Sequence, residues 1–232
     1  MSSFKFKQFT IHQDKAAMKV GTDSILLGSW LSINKECQSV LDIGTGTGLL
    51  ALMVTQKNDL VKVTGLEVDE DSYHQAKYNI KHSKWFDRIN LCLINANHWE
   101  TKIKFDLIIS NPPYFPPSSV SNNEARNKAR QQGTLSLNNL IDLWLKFGSN
   151  IAEYACILPT EQANRLIDLC KESSLYLKKQ TLIRSNNQSK IIRKLLLFSK
   201  QILPKEETEV CIYNSKRDYT KAYTELTQDF YL

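Results

Sequence analysis

Apolar residues recur along this chain in two rhythms, one with a period of two and one with a period of three to four, and the two alternate. Phe4 and Phe6 alternate with Lys5 and Lys7 ahead of Phe9 and Ile11, which predicts an amino-terminal strand or hairpin. Gly21-Thr22-Asp23-Ser24 precedes Ile25, Leu26, Leu27, Trp30 and Leu31 as a helix start, with Thr22 or Asp23 expected to cap it. Apolar runs at 40–43, 60–66, 89–94, 105–109 and 152–158 read as strands. Helices are predicted at 49–54, from Asp69-Glu70-Asp71 to Lys81, at 137–147, and from Pro159-Thr160-Glu161 to Lys171, with Asp69 as a cap. Two more strands, near 176–183 and 191–199, are joined by a Ser185-Asn186-Asn187-Gln188-Ser189 hairpin loop. Residues 210–213 are expected to form a short edge strand and 216–232 a tail. The order predicts an α/β chain with helices on both faces of a mainly parallel seven-stranded sheet whose last strand is antiparallel.

Composition narrows the class. With 232 residues, 42% hydrophobic and 23% charged, the chain is expected to be one soluble globular domain spanning 1–232. No window approaches the roughly 18 consecutive apolar residues of a membrane span, and Met1-Ser2-Ser3-Phe4-Lys5 lacks a signal-peptide apolar region, so a cytoplasmic protein is expected. Cys37, Cys92, Cys156, Cys170 and Cys211 are odd in number and widely spaced, without a C-x-x-C pair. Neither a disulfide framework nor a metal site is expected, and no obligate protein partner is evident.

Candidate chemistry concentrates in two stretches. The first, Ser39-Val40-Leu41-Asp42-Ile43-Gly44-Thr45-Gly46-Thr47-Gly48-Leu49-Leu50, runs from strand through a glycine-rich turn into a helix. Such a turn lets a ligand approach bare backbone beside the unpaired N–H groups of a helix start. The third glycine comes one residue too early for a dinucleotide turn, which disfavours a pyrophosphate ligand. Asp42 ends its strand, where a carboxylate can receive an ammonium group, and Glu67 ends the next strand, where α/β nucleotide sites place the acid that binds ribose hydroxyls. A ligand with a ribose and an amino-acid ammonium, and no phosphate, fits both acids. The second stretch, Asn111-Pro112-Pro113-Tyr114, leaves the strand at 105–109 as a stiff turn, because two prolines remove two donors and forbid helix.

The D-x-G-x-G-x-G pattern at Asp42–Gly48 resembles the cofactor motif of the class I S-adenosylmethionine-dependent methyltransferases, and the resemblance runs from about residue 20 to about 200. It implies a Rossmann-like fold and S-adenosyl-L-methionine as cofactor, with Thr22, Asp42, Gly44, Thr45, Gly46, Gly48, Glu67, Asn97 and Asn111 around it. At Asn97 such enzymes often carry Asp, and Asn still accepts through its carbonyl oxygen. Asn111-Pro112-Pro113-Tyr114 resembles the signature of enzymes that methylate exocyclic or amide nitrogen. It implies that the Asn111 oxygen and the Pro112 carbonyl accept the two hydrogens of a planar amine while Tyr114 stacks on the base. Gln13, Lys19-Val20-Gly21-Thr22-Asp23 and Glu124, Arg126 and Arg130 are similar to segments of the bacterial tRNA1(Val) (adenine(37)-N6)-methyltransferase family, which implies N6-methylation of an adenine in tRNA. Relatives with the same turn act on a release-factor glutamine amide, on a guanine N2 of ribosomal RNA or on adenine in DNA. A non-catalytic RNA-binding protein on this fold is the alternative from another class.

Charge fits a polyanionic substrate. Residues 41–121 carry 8 basic and 9 acidic residues, whereas 122–232 carry 17 and 12. Between Ser173 and Lys205 no acid occurs, and Lys178, Lys179, Arg184, Lys190 and Arg193 lie in that interval. These five residues, with Arg126 and Arg130 of the polar segment at 115–135, are the candidate RNA contacts, the segment itself reading as a substrate loop.

Overall fold

The computed structural model describes residues 2–16, 19–112 and 135–232. The predicted hairpin is present: β1 (Ser3–Lys5) pairs antiparallel with β2 (Thr10–His12). After α1 (Thr22–Trp30), strands and helices alternate as β3 (Ser39–Ile43), α2 (Leu49–Lys57), β4 (Lys62–Glu67), α3 (Glu70–Lys81), β5 (Ile89–Leu93) and β6 (Phe105–Ser110). Then come α4 (Leu137–Phe147), β7 (Gly148–Pro159), α5 (Thr160–Glu172), β8 (Tyr176–Asn186), β9 (Ile191–Ser199), β10 (Glu206–Tyr213) and α6 (Lys221–Thr227).

Eight strands form one sheet in the order β10-β8-β9-β7-β6-β3-β4-β5. Every pairing in it is parallel except those of β9, which runs antiparallel between β7 and β8. The central strands read as unbroken apolar runs because both faces are covered. Val40, Val63, Leu107, Ile109 and Ile157 face one apolar core with α1, α2 and α3, while Leu41, Ile43, Leu66, Ile108 and Leu158 face a second core with α4 and α5. α1 and α2 approach so closely that a Cβ on Gly28 would stand 2.5 Å from the Met53 sulfur. Among the described residues no helix is long and apolar enough to cross a membrane.

Three expectations need correction. The edge strand is eight residues, Glu206–Tyr213, and adds an eighth strand parallel to β8; its exposed Glu206, Glu207 and Glu209 broke the apolar rhythm, as charged edge strands do. The expected tail contains α6, which buries Tyr223 and, just beyond it, Phe230. The start of α1 is capped by Gly21 without a side-chain bond, so neither Thr22 nor Asp23 caps it; Asp23 instead pairs with Arg193 of β9 at 2.9 Å. Asp69 does cap α3, its Oδ2 accepting from the Ser72 amide at 2.9 Å.

Candidate active site

The parallel strands end along one edge of the sheet, and the two candidate stretches leave it there side by side. In the register of β3 and β6, Asp42 stands opposite Ile109, two residues before Asn111. The Ser110 hydroxyl donates to the Ile43 carbonyl at 2.9 Å and ties the two strand ends together.

Gly44, Gly46 and Gly48 have φ of +74°, +58° and +81°, the left-handed region that glycine enters without a Cβ penalty. The amides of Gly44 and Thr45 both donate to the Leu66 carbonyl, at 2.9 and 3.0 Å, which pins the turn to the end of β4. A Cβ added to Gly44 or Gly46 would meet nothing within 4 Å among the described residues, so the turn borders space that they leave open. Gly48 caps α2.

Two acids flank this space. Asp42 is fully buried; its Oδ2 accepts from the Thr45 hydroxyl at 2.7 Å, and its Oδ1 has no hydrogen-bond partner among the described residues. Burial pushes its carboxyl up to about 7, opposed by the Thr45 hydrogen bond and reinforced by the charge of Glu67. Glu67 is held by three backbone amides: Gly46 on Oε2 at 2.8 Å, and Val68 and Asp69 on Oε1 at 2.9 Å each. Burial raises its pKa, and these amides oppose the rise. A buried acceptor without a donor beside an open glycine turn fits a ligand that brings a positively charged donor. Asn97 lies in a 3-10 turn (Ala96–His98) just after β5, exposed, its amide donating to the Asn95 side chain. Thr22 is exposed at the first position of α1.

The Asn111 side-chain nitrogen donates to the Ser24 hydroxyl in α1 at 2.8 Å. Ser24 sits one residue after Asp23, so the Arg193–Asp23 ion pair anchors the same turn of α1. Pro112 is buried, whereas Pro113, Tyr114, Arg126 and Arg130 lie outside the described residues.

Sequence reading missed Asn79 of α3. Its Oδ1 accepts from the His12 amide, and its Nδ2 donates to the carbonyls of His12 and Thr47, all at 2.9 Å, joining the amino-terminal hairpin to the glycine turn. The available signal was a buried helix face reading Ser72, Gln75, Ala76, Asn79, Ile80, too polar for simple packing.

The acid-free basic run meets acids across the sheet. Lys178 pairs with Glu153 at 2.6 Å and Arg184 with Glu209 at 2.8 Å, while the Lys179 ammonium lies 5.2 Å from the centre of the Trp30 ring. Lys190 is exposed on the β8–β9 hairpin and makes no ion pair among the described residues. No cluster of His, Cys, Asp and Glu able to hold a metal occurs among the described residues.

Comparison with known proteins agrees with this arrangement. The sequence pattern of the methyltransferase small domain matches residues 16–137. Among solved structures, a predicted O-methyltransferase from Agrobacterium tumefaciens superposes with a TM-score of 0.66 at 16% identity, covering 90% of this chain and 96% of that one. A human methyltransferase 10 domain containing protein superposes with a TM-score of 0.57 at 16% identity, over 83% of this chain and 90% of that one. Both likenesses concern the fold alone. A tRNA1(Val) (adenine(37)-N6)-methyltransferase of Flavobacterium psychrophilum is 38% identical over 99% of both chains. Its counterpart in Haemophilus influenzae is 39% identical over 100% of this chain and 99% of its own. Similarity of this extent, over a fold whose turn and acids stand as described, places the chain in the methyltransferase small domain family, among the tRNA1(Val) (adenine(37)-N6)-methyltransferases.

Proposed function

We propose that the protein methylates the N6 amine of an adenine in tRNA, at position 37 of tRNA1(Val), with S-adenosyl-L-methionine as donor. The observation that carries this reading is the junction of the two stretches: Asn111 follows Ile109, the register partner of Asp42, by two residues, and Asp42 Oδ1 has no hydrogen-bond partner among the described residues. A tRNA substrate goes with a cytoplasmic enzyme.

When bound, the cofactor supplies a methyl group activated on a sulfonium. Asp42 receives the amino-acid ammonium on Oδ1, the donor that this oxygen lacks. Glu67 has about four acceptor positions, of which three are taken by amides, so one remains for a ribose hydroxyl. The open side of Gly44 and Gly46 admits the ligand against backbone, and Asn97 accepts from the adenine amine at the end of β5.

An adenine amine is a poor nucleophile because its lone pair is delocalised into the ring. The Ser24 bond occupies the nitrogen end of the Asn111 amide, so the acceptor role falls to its oxygen. That oxygen and the Pro112 carbonyl accept the two amine hydrogens, favour a pyramidal nitrogen and aim its lone pair at the methyl. Orientation of this kind is worth several kcal/mol, up to about 7 to 11 in ideal cases. Bound here, the cofactor would supply its methyl to that lone pair, and the surplus amine proton would pass to a carbonyl or water, since Asn is no base. Tyr114, by the motif's resemblance, stacks on the unstacked base, and Arg126, Arg130 and the exposed cations of the hairpin hold phosphates.

Transfer of labelled methyl to tRNA from cells lacking the gene, followed by digestion to nucleosides, tests this. N6-methyladenosine formed by wild type and lost in Asn111→Ala is the expected result. Labelling of a release factor or ribosomal RNA instead would move the substrate, and no labelling anywhere would leave a non-catalytic RNA-binding protein.

A further inference from the structure

The turn between β10 and α6 lies on the same edge of the sheet as the active site, because β10 runs parallel to β8, and Tyr213 stands opposite Asn186, where the β8–β9 hairpin begins. Four strand spacings of about 4.8 Å separate β6 from β10, which puts this turn about 19 Å along the edge from Asn111. Lys216 and Arg217 are exposed there, and neither forms an ion pair among the described residues. Lys190 of the neighbouring hairpin shares both properties, in contrast to Lys178 and Arg184, which are neutralised by Glu153 and Glu209.

The turn is built rather than loose. Asn214 accepts the amides of Lys216 and Asp218 on its side-chain oxygen, at 2.8 and 3.0 Å. Arg217 holds φ +67°, a left-handed conformation in which a long side chain is uncommon and glycine would be cheaper. Beside it Tyr219 is 50% exposed, although its ring is stacked on Tyr213 at 5.3 Å and 19°. The same ring also packs on Tyr223 at 4.7 Å and 32°. A half-exposed aromatic ring held in place by its neighbours and flanked by uncommitted cations is the combination that holds a single-stranded nucleic acid.

We propose that this shelf, formed by Lys190, Lys216, Arg217 and Tyr219, is a second RNA-binding site that grips the substrate away from the reacting adenine. The cations contact phosphates, and Tyr219 takes one unstacked base. The inference rests on the tRNA reading above and adds residues outside the basic run of β8 and β9. Asp218 is the one acid in the turn, and its side chain is engaged by the Asn214 amide at 3.4 Å.

The test measures binding of unmodified tRNA to the full chain across a range of salt concentrations. Wild type is compared with Lys190→Ala/Lys216→Ala/Arg217→Gly and with Tyr219→Ala, alongside S-adenosylmethionine affinity and methyl incorporation. Glycine is used at 217 because it suits the backbone at φ +67°, so the charge is removed there with little cost to folding. The triple variant is expected to bind tRNA at least about tenfold more weakly and to lower the slope of log K against log salt by about 2, at roughly 0.7 to 0.9 per phosphate contact. Tyr219→Ala is expected to weaken binding by about tenfold without changing that slope. Cofactor affinity is expected to stay as in wild type. Unchanged tRNA affinity and slope in the triple variant, with wild type methylating tRNA, would overturn the shelf alone. Failure of wild type to bind tRNA would overturn the shelf and the tRNA reading together.

Discussion

The Ser24 hydroxyl accepts from the Asn111 side-chain nitrogen at 2.8 Å, across 87 positions of sequence, and ties the end of β6 to α1. Removing the hydroxyl takes away this anchor of the amide. Ser24→Ala is expected to lower kcat about tenfold, equivalent to about 1.4 kcal/mol, with little change in the KM for tRNA. Ser24→Thr, which keeps the hydroxyl, is expected to restore most of the rate. Steady-state kinetics of methyl transfer for both variants checks this, and an equal loss in the two would assign Ser24 to packing only.

Asp42 makes cofactor affinity and stability respond to pH in opposite directions. In the ligand-free protein its carboxyl is raised by burial to about 7, so the folded state still holds a proton that the unfolded chain gives up near its ordinary value of 3.8. Stability from this group is therefore present at low pH and is lost as pH rises toward about 7. With the cofactor's ammonium on Asp42 as proposed, binding needs the ionised form, so affinity is expected to rise with pH over the same interval, by about tenfold per unit below the pKa. Calorimetric titration between pH 5.5 and 8 measures the rise, with proton release near pH 6.5. Asp42→Asn is expected to flatten both dependences.

Gly46 separates a binding effect from a folding effect. A methyl there meets no atom of the described residues within 4 Å, and the backbone at φ +58° imposes a penalty of about 1 to 2 kcal/mol. Gly46→Ala should therefore lower Tm by only about 2 to 8 °C, given 2 to 4 °C per kcal/mol at this size. Because that methyl occupies the ligand's side of the turn, cofactor affinity is expected to fall by well over tenfold. Thermal melts and binding isotherms on the same sample compare the two losses.

Asn79 has the opposite profile. It is 1% exposed and satisfies three backbone groups of His12 and Thr47. Asn79→Ala leaves them buried without partners, at about 1 to 3 kcal/mol for each that water cannot reach. A loss of about 3 kcal/mol in denaturant unfolding is expected, with weaker cofactor binding as a consequence of the loosened turn. Asn79→Asp keeps the acceptor for the His12 amide and loses both donors, so it is expected to recover little.

Legibility from sequence followed the distance over which a feature is determined. Asp42 to Gly48 and Glu67 were readable because strand, turn and helix follow one another, and each residue's setting is made by its neighbours. The placement of Asn111 at a strand end was readable for the same reason, but its Ser24 partner was not, since only the folded sheet brings α1 to β6. The ion pairs of the basic run were not legible from adjacency. Its acids, Glu153, Glu209 and Asp23, come from β7, β10 and α1, and strand register delivers them. α6 was missed because its seven residues carry too short an apolar pattern, although Tyr223 is 1% exposed.

The position of β9 dictates an order of assembly. β8 is synthesised before β9 yet has no hydrogen bonds to β7; β9 lies between them. β8 gains its link to β7 only once the chain has doubled back through residues 186–190 into β9, and β8 in turn carries the pairing edge for β10. Hairpins close within about 1 to 10 μs, far faster than long-range strand pairing. A substitution that slows this reversal, such as Ser189→Pro, delays completion of the sheet's outer half while β3 to β7 form at their ordinary pace.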